Sequence, residues 1–541
     1  MRSAGGKRGE PSTVSSARAA RRRELGRLPP PGALLAGVLA AALLLWHTAY
    51  WRAGADLGGL PASRRYWEDL AVAATRFLDE DGRAEKVGLN SADGAELRLG
   101  FQRFLTRAAA DDDLRPWQFW RTVAVRPLLV GRRLVARDID DPGRAGLLLV
   151  GYRALRGISP FLPLWVGALA AAPVAAWAAW ELWRAGRPVA GLVFGGLLAC
   201  SPYTVESLSL PYSAVGFYVI GVVGIVPLAA HACLARVRLA GLALRALAAG
   251  VVFALCVLCR SGSAFLLPGY VLALLVGAAR LEPGTPPTRR ATAKPLAAIL
   301  LLALFLIPYV LARQPRHHEV WLGVWEGLGD FDRTRGHAWD DDAAREVLRA
   351  ASVAPPERYP VWEDAPGNEA LFRRLVLSDV RAAPGWYAGI LARRLWATVA
   401  QRKLAPWALR DGSSIEPRRA PNEGAIDTYY AMATPVDWLG FGPWRLELPL
   451  VLFWGPTALL VLLFLAGRRA PPLRASASRL GPGLLVLLCL GAGGLGLPVL
   501  FTTAGGLETE AFAVVYFLGF ALLVDEVVRC FSTRAAGLPA G

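Results

Sequence analysis

Residues 214–234 read AVGFYVIGVVGIVPLAAHACL, a run without a single Asp, Glu, Lys or Arg. An α-helix needs about 20 apolar residues to cross the hydrocarbon core of a bilayer, so this run predicts a membrane span. The whole chain has 541 residues, of which 54% are hydrophobic, and its mean hydropathy is +0.36. A soluble chain of this length is less apolar. The sequence therefore indicates an all-α polytopic membrane protein.

Comparable apolar runs lie on both sides of residues 214–234, and together they predict about ten spans. Those spans are 33–50, 161–183, 189–200, 214–234, 242–258, 263–279, 295–312, 448–465, 484–501 and 512–528. The first span has an alternative interpretation as a cleaved signal peptide, because Ala53-Gly54-Ala55 follows it. The long preceding tail and the long apolar run favour an uncleaved helix.

The charges of the connecting segments predict the orientation of the chain. The net charge is +17, and in a membrane protein such an excess is typical of cytosolic loops rather than of a nucleic-acid interface. Residues 1–32 form a basic tail, and the short loops that would share its side carry Arg184, Arg187, Arg236, Arg238 and further arginines. We therefore expect both termini in the cytoplasm and two long exterior segments, 51–160 and 313–446. The membrane core is 33–312, which includes the first of those segments, and residues 447–541 add the last helices.

The exterior segment 51–160 carries two acidic clusters. One is Tyr66-Trp67-Glu68-Asp69, and the other is Asp138-Ile139-Asp140-Asp141. Carboxylates at a membrane face suit an enzyme that handles a lipid-linked polar substrate. Two plainer interpretations stay open. In the first, Glu68 and Asp69 form the solvated face of an interfacial helix. In the second, Asp138, Asp140 and Asp141 cap the helix that follows instead of binding a divalent ion.

Three further motifs accompany these acids in a characteristic order. Asp141-Pro142-Gly143 precedes an apolar run that leads to Gly157, Ser201-Pro202-Tyr203 closes the third span, and Arg260 is followed by an apolar run and Pro268. Their order resembles the GT-C class of membrane glycosyltransferases. The nearest similarity is to glycosyltransferase family 39, the protein mannosyltransferases and lipid A aminoarabinose transferases. The resemblance covers about residues 33–312 and predicts a GT-C-like fold.

The resemblance implies an activity and a set of site residues. The donor would be a sugar linked to polyprenyl phosphate, and the acceptor an unidentified glycan, lipid or protein at the exterior face. Glu68 or Asp69 would be the catalytic base, and Arg260 would bind the donor phosphate; its plainer interpretation is a cation that snorkels at a helix end. The chain departs from the family because its acids come late after the first helix and Ser213 stands where relatives carry an acid. Asp56, Asp138, Asp140, Asp141 and Glu206 are therefore secondary candidates.

The second exterior segment, 313–446, combines aromatic and acidic residues, as in 327–332 and 339–342. Such a mixture suits a sugar-binding cleft, and equally the core and surface of a small domain. Residues 379–401 predict an amphipathic helix that breaks near Pro384, with Leu395 on the apolar face and Arg394 on the polar face. No residue pattern here specifies a metal, although Mg or Mn at Asp138, Asp140 and Asp141 stays open. Neither His317-His318 nor the Cys256/Cys259 pair has the partners that a metal site needs.

Two alternatives to a glycosyltransferase remain. A GT-C-shaped protein without catalysis could serve as a binding or assembly partner, and Ser213 favours that interpretation. A lipid or solute transporter is the other, although transporters bury charges at broken helices, and the apolar runs show almost none. Because arginine is used almost to the exclusion of lysine, we expect a bacterial protein of the inner membrane.

Overall fold

The computed structural model describes most of the apolar part of the chain. The described residues are 31–53, 73–74, 77, 118–122, 142–209, 214–281, 286–288, 291–292, 320–329, 334–338, 341–351, 367–399, 437–441, 444–447, 451–469, 474–500 and 511–535. Within them nearly every residue is helical.

The helices follow the apolar runs of the sequence. In the membrane core they are α1 Pro31–Ala53, α2 Pro142–Leu155, α3 Val166–Arg184, α4 Pro188–Cys200, α5 Pro202–Ser209, α6 Ala214–Leu234, α7 Leu239–Cys259 and α8 Leu267–Ala279. Short 3-10 helices, η1 Leu162–Leu164 and η2 Ser261–Leu266, precede α3 and α8. The later helices are α9 Val320–Gly327, α10 Asp341–Ala350, α11 Asn368–Ala382, α12 Pro384–Val399, α13 Val451–Arg469, α14 Arg474–Leu500 and α15 Ala513–Ala535.

One small sheet interrupts the helical pattern. Strands β1 Asp437–Phe441 and β2 Trp444–Glu447 form an antiparallel hairpin, with Phe441 paired to Trp444. The sequence predicted an all-α chain and gave no sign of this hairpin. Its alternation of Trp438, Leu439 and Phe441 with Gly440 is too short to separate a strand from the apolar run that follows.

Helix packing places the ends of the helices in two groups. Trp183 packs on Gly32, and Ala49 packs near Trp165, so α1 and α3 are antiparallel. The Tyr270 hydroxyl donates to the Gly221 carbonyl at 2.7 Å, which joins α8 to α6 in the centre of one continuous core. We call the end where α3, α6 and α8 finish the arginine end, and the end where α7 finishes at Cys259 the Arg260 end.

A buried ionic network closes the arginine end. Arg187, at the start of α4, lies 3.0 Å from both Asp525 and Glu526 of α15. Arg479 of α14 reaches Glu526 at 3.1 Å, and Arg529 reaches Asp525 at 2.7 Å. These pairs attach the two C-terminal helices to the first half of the bundle.

Six of the described helical stretches are long and apolar enough to cross a membrane: 31–50, 162–184, 216–234, 239–259, 261–279 and 477–495. The predicted number of about ten is therefore not confirmed. The span predicted at 189–200 is the shorter helix α4, and 295–312 lies outside the described residues. Helices α13 and α15 form where spans are predicted but are not among the six, and α15 carries Asp525, Glu526 and Arg529 in its second half.

Candidate functional site

The turn at Arg260 joins two membrane helices. Helix α7 ends at Cys259, and Arg260 has extended backbone angles, with φ −154° and ψ 104°. Its N–H donates to the Cys256 carbonyl at 2.8 Å, and its own carbonyl accepts from the Ser263 N–H at 2.8 Å. The backbone on both sides of Arg260 is thus hydrogen-bonded, and the half-buried side chain stands at the boundary of the apolar core.

Helix α2 lies across this end of the bundle and begins beside the Arg260 turn. A Cβ on Gly143 would come within 2.6 Å of the Leu258 carbonyl carbon and 2.7 Å of the Cys259 nitrogen. Only glycine allows so close an approach of the two backbones. The run Pro142-Gly143-Arg144, noticed in the sequence as part of a motif, therefore packs directly against the end of α7, with Arg144 only 2% exposed.

Parts of the exterior segment 51–160 also pack on α2 and η1. Ala73 and Ala74 are buried, and the Phe77 ring meets the buried Tyr152 ring edge to face at 6.2 Å. Phe119 packs on Trp165 with ring centroids 4.8 Å apart. The part of the segment that directly follows Glu68 and Asp69 therefore lies against the Arg260 end of the bundle.

Helix α5 adds a third element at the same end. It follows Ser201, whose hydroxyl accepts from the Thr204 N–H at 3.4 Å, and its carboxyl end contacts both α3 at Gly167 and α6 at Gly216. Helix α5 carries Glu206, a secondary candidate whose side chain is not described. The motif Ser201-Pro202-Tyr203 thus starts a short helix instead of simply closing a span.

The described residues cover the predicted site unevenly. Arg260 and the backbone of Glu206 are placed at one end of the bundle. The proposed base, Glu68 or Asp69, and the secondary acids Asp56, Asp138, Asp140 and Asp141 lie outside the described residues. Two of these groups have described neighbours in the chain at this same end: Ala73 follows Asp69, and Pro142 follows Asp141.

The arginine end contains polar residues that sequence reasoning missed. Arg245 lies 2.8 Å from Glu181, with both side chains largely buried. His231 is only 9% exposed beside them. In the sequence Glu181 looks like one polar residue at a span's end, and nothing indicates that Arg245 reaches back to it. One feature of the sequence could have indicated this ion pair, because a carboxylate near the end of an apolar span is buried only when it has a partner.

The described part of the segment 313–446 forms a small aromatic core. Trp325 is buried between His337 and Phe372, and the His337 Nε2 lies 2.9 Å from an oxygen of Asp379. Burial lowers the pKa of His337 below its ordinary value, and the hydrogen bond with Asp379 acts in the opposite direction. These rings pack on one another as a domain core, which is the plainer of the two interpretations of the segment.

The amphipathic assignment of residues 379–401 needs a correction. The chain does break where predicted, because α11 ends at Ala382 and α12 begins at Pro384. However, Arg394 is fully buried, whereas Leu395 is 44% exposed. Helix α12 packs against α14, so its contact face includes a position that periodicity placed on the polar side.

The described residues include both potential metal ligands and cysteine thiols. No group of three His, Cys, Asp or Glu residues there could hold a metal ion. The six cysteines, all of which are described, form no disulfide, and Cys256 and Cys259 are buried in α7. The aspartates considered for Mg or Mn, Asp138, Asp140 and Asp141, lie outside the described residues.

Comparison with known proteins adds no relative to this description. No family model, curated protein or solved structure matches the chain.

Proposed function

We propose that the protein is an integral-membrane glycosyltransferase that moves a sugar from a polyprenyl-phosphate donor to an acceptor at the exterior membrane face. The observation that carries the proposal is the meeting of three chain segments at the Arg260 end. The segment after Glu68 and Asp69 packs on α2 through Phe77, and α2 begins, directly after Asp141, against the turn that holds Arg260. Acids and a cation of the predicted site are thus each a few residues in sequence from helix α2, which Phe77 contacts near its carboxyl end and the Arg260 turn contacts at its start.

The proposed chemistry divides between these groups. Glu68 or Asp69 takes the proton of the acceptor as it attacks the anomeric carbon. The guanidinium of Arg260 stabilises the negative charge that develops on the phosphate as the sugar leaves. The apolar bundle beneath the turn keeps the polyprenyl chain in the bilayer. The proposed setting is the inner membrane of a bacterium, with the Arg260 end at the exterior face and the arginine end in the cytoplasm.

Donor consumption in proteoliposomes tests the proposal without a known acceptor. Purified full-length protein is mixed with radiolabelled polyprenyl-phosphate sugars and a membrane extract that supplies acceptors, and transferred label is counted. The double variant Glu68→Gln/Asp69→Asn should lose about a hundred- to ten-thousand-fold in rate, because the base is removed while side-chain shape is kept. The matched control is Asp79→Asn, which removes an acid further along the same segment.

The outcomes separate the alternatives. If the double variant transfers sugar at the native rate, the base is wrong, and the same assay on Asp56→Asn and Asp141→Asn examines the next candidates. If the unmodified protein consumes none of the lipid-linked sugar donors tested, the glycosyltransferase proposal fails. A non-catalytic assembly partner or a transporter would then account for the chain.

Arg260 has its own test in the same assay. Arg260→Ala should lower the rate at limiting donor, whereas Arg260→Lys should retain part of it, because lysine keeps the charge but not the forked geometry. Unchanged turnover in Arg260→Ala would show that the side chain only snorkels at the helix end.

A further inference from the structure

A cavity of about 750 Å³ opens at the arginine end, opposite the proposed catalytic end. It lies between the carboxyl ends of α3 and α6 and the start of α7. Its polar lining consists of Glu181, Arg184, His231, Arg236, Arg238 and Arg245. Four arginines therefore face one carboxylate, and the cavity is a site for an anion.

The four arginines of the cavity differ in their contacts and exposure. Arg245 binds Glu181 at 2.8 Å and donates to the Gly241 carbonyl at 3.2 Å, so its charge is largely offset. Arg184, Arg236 and Arg238 stand around the mouth with exposed side chains. Exposed guanidinium groups at a membrane face are well suited to phosphate oxygens.

His231 supplies a second, independent feature that points to a ligand. Its side chain is 9% exposed, and its Nε2 has no hydrogen-bond partner within the described part of the chain. Buried polar atoms are normally hydrogen-bonded, so an unpaired ring nitrogen in a cavity wall calls for a partner there. Gly241 keeps the space open, because a Cβ at this position would lie 3.3 Å from His231 Nε2 and 3.4 Å from Arg245 Nη1.

An apolar groove lies between α1 and α3. Its volume is about 560 Å³, and its walls include Leu34, Val38, Pro173, Trp177 and Trp180. The Arg184 guanidinium lies 5.5 Å from the centre of the Trp180 ring. Arg184, which lines the cavity, therefore stacks on Trp180, which lines the groove.

We propose that the arginine end binds a phospholipid of the adjacent leaflet, with its phosphate in the cavity and an acyl chain in the groove. His231 and the three arginines at the mouth contact the phosphate oxygens, and Trp177 and Trp180 contact the chain. A cationic cavity beside an apolar groove favours a lipid over free phosphate, because free phosphate would not occupy the groove. This site is independent of the proposed transferase activity, which lies at the opposite end of the bundle.

Native mass spectrometry of the full-length protein in detergent tests the proposal. The protein is mixed with equal amounts of phosphatidylglycerol and phosphatidylcholine, and the retained lipid is weighed. We expect retained phosphatidylglycerol on the unmodified protein, and about a tenfold loss in Arg236→Ala/Arg238→Ala and in His231→Ala, since each removes charge-assisted or polar contacts. Gly241→Leu, which fills the cavity, should abolish retention.

Two controls and a competition experiment decide between the possible ligands. Arg469→Ala, an exposed arginine outside the cavity, and Leu462→Ala, an exposed apolar residue outside the groove, should both retain the lipid. Trp180→Ala should reduce retention, and inorganic phosphate should not displace the lipid. Retention that survives the Arg236→Ala/Arg238→Ala change overturns the proposal. Displacement by inorganic phosphate together with no effect of Trp180→Ala overturns it too, in favour of a soluble phosphate site.

Discussion

At the scale of single residues, the arginine end depends on Arg187. Its guanidinium is only 8% exposed and lies 3.0 Å from each of two carboxylates on α15. Removing one partner of a buried ion pair leaves the other charge without compensation, at a cost of about 3–5 kcal/mol. Arg187→Ala should therefore lower the apparent melting temperature of the detergent-solubilised protein markedly.

Arg469→Ala is the matched control for that experiment, because it removes an exposed arginine at the end of α13. Its melting temperature should stay close to that of the unmodified protein. Equal melting temperatures for Arg187→Ala and the unmodified protein would mean that the network contributes no stability.

We expect His337 to make the small aromatic core of the segment 313–446 sensitive to acid. Burial lowers its pKa in the folded state, against the opposing influence of Asp379 and with a further lowering by Arg335. The unfolded state, with a pKa of about 6.5, therefore binds the proton more readily. Stability is fully present above about pH 6.5 and is lost as the pH falls below it.

Limited proteolysis at about pH 7.5 and about pH 5.5 measures this effect, since cleavage follows the population of opened molecules. Cleavage within residues 320–399 should rise at the lower pH. His337→Gln, which keeps a hydrogen-bonding side chain but does not titrate, should show no such rise. A rise of equal size in both proteins would assign the acid sensitivity to other groups.

At the scale of elements, Glu369 on α11 supports the start of α9. Both of its carboxylate oxygens lie 3.2 Å from the Trp321 N–H, one of the donors that a helix start leaves without an intrahelical partner. Glu369→Ala should cost about 1 kcal/mol and increase hydrogen exchange in residues 320–327. Glu346→Ala, which removes an exposed acid from α10, should leave that exchange unchanged.

At the scale of the whole molecule, the apolar runs of the sequence predicted the positions of most helices, because a bilayer span has a distinctive local composition. Contacts between residues far apart in the sequence could not be predicted from local composition. Nothing near Arg187 in the sequence indicates that Asp525 neutralises it, and the burial of Arg394 depends on how α12 lies on α14. For the candidate site, Arg260 lies directly after the end of α7, whereas the proposed acids lie outside the described residues.

Orientation is also a property of the whole molecule, and reporter fusions can measure it. Among the described residues, Arg187, Arg236 and Arg238 of the predicted cytosolic loops lie at one end of the bundle, because Val237 pairs with Leu281 and Arg187 pairs with α15. Fusions after Thr285 and Asn422 should report opposite sides of the membrane, with Thr285 cytosolic. The same side for both would contradict the topology.

The ionic network also sets an order for assembly during synthesis. The ribosome makes Arg187 early, whereas Asp525 and Glu526 are made 338 and 339 residues later. Until α15 enters the membrane, Arg187 lacks the two carboxylates that compensate its charge in the finished bundle. A nascent chain that stops before Ala513 would lack the acidic partners of Arg187. Quality-control proteases would then be able to recognise the incomplete chain by this uncompensated charge.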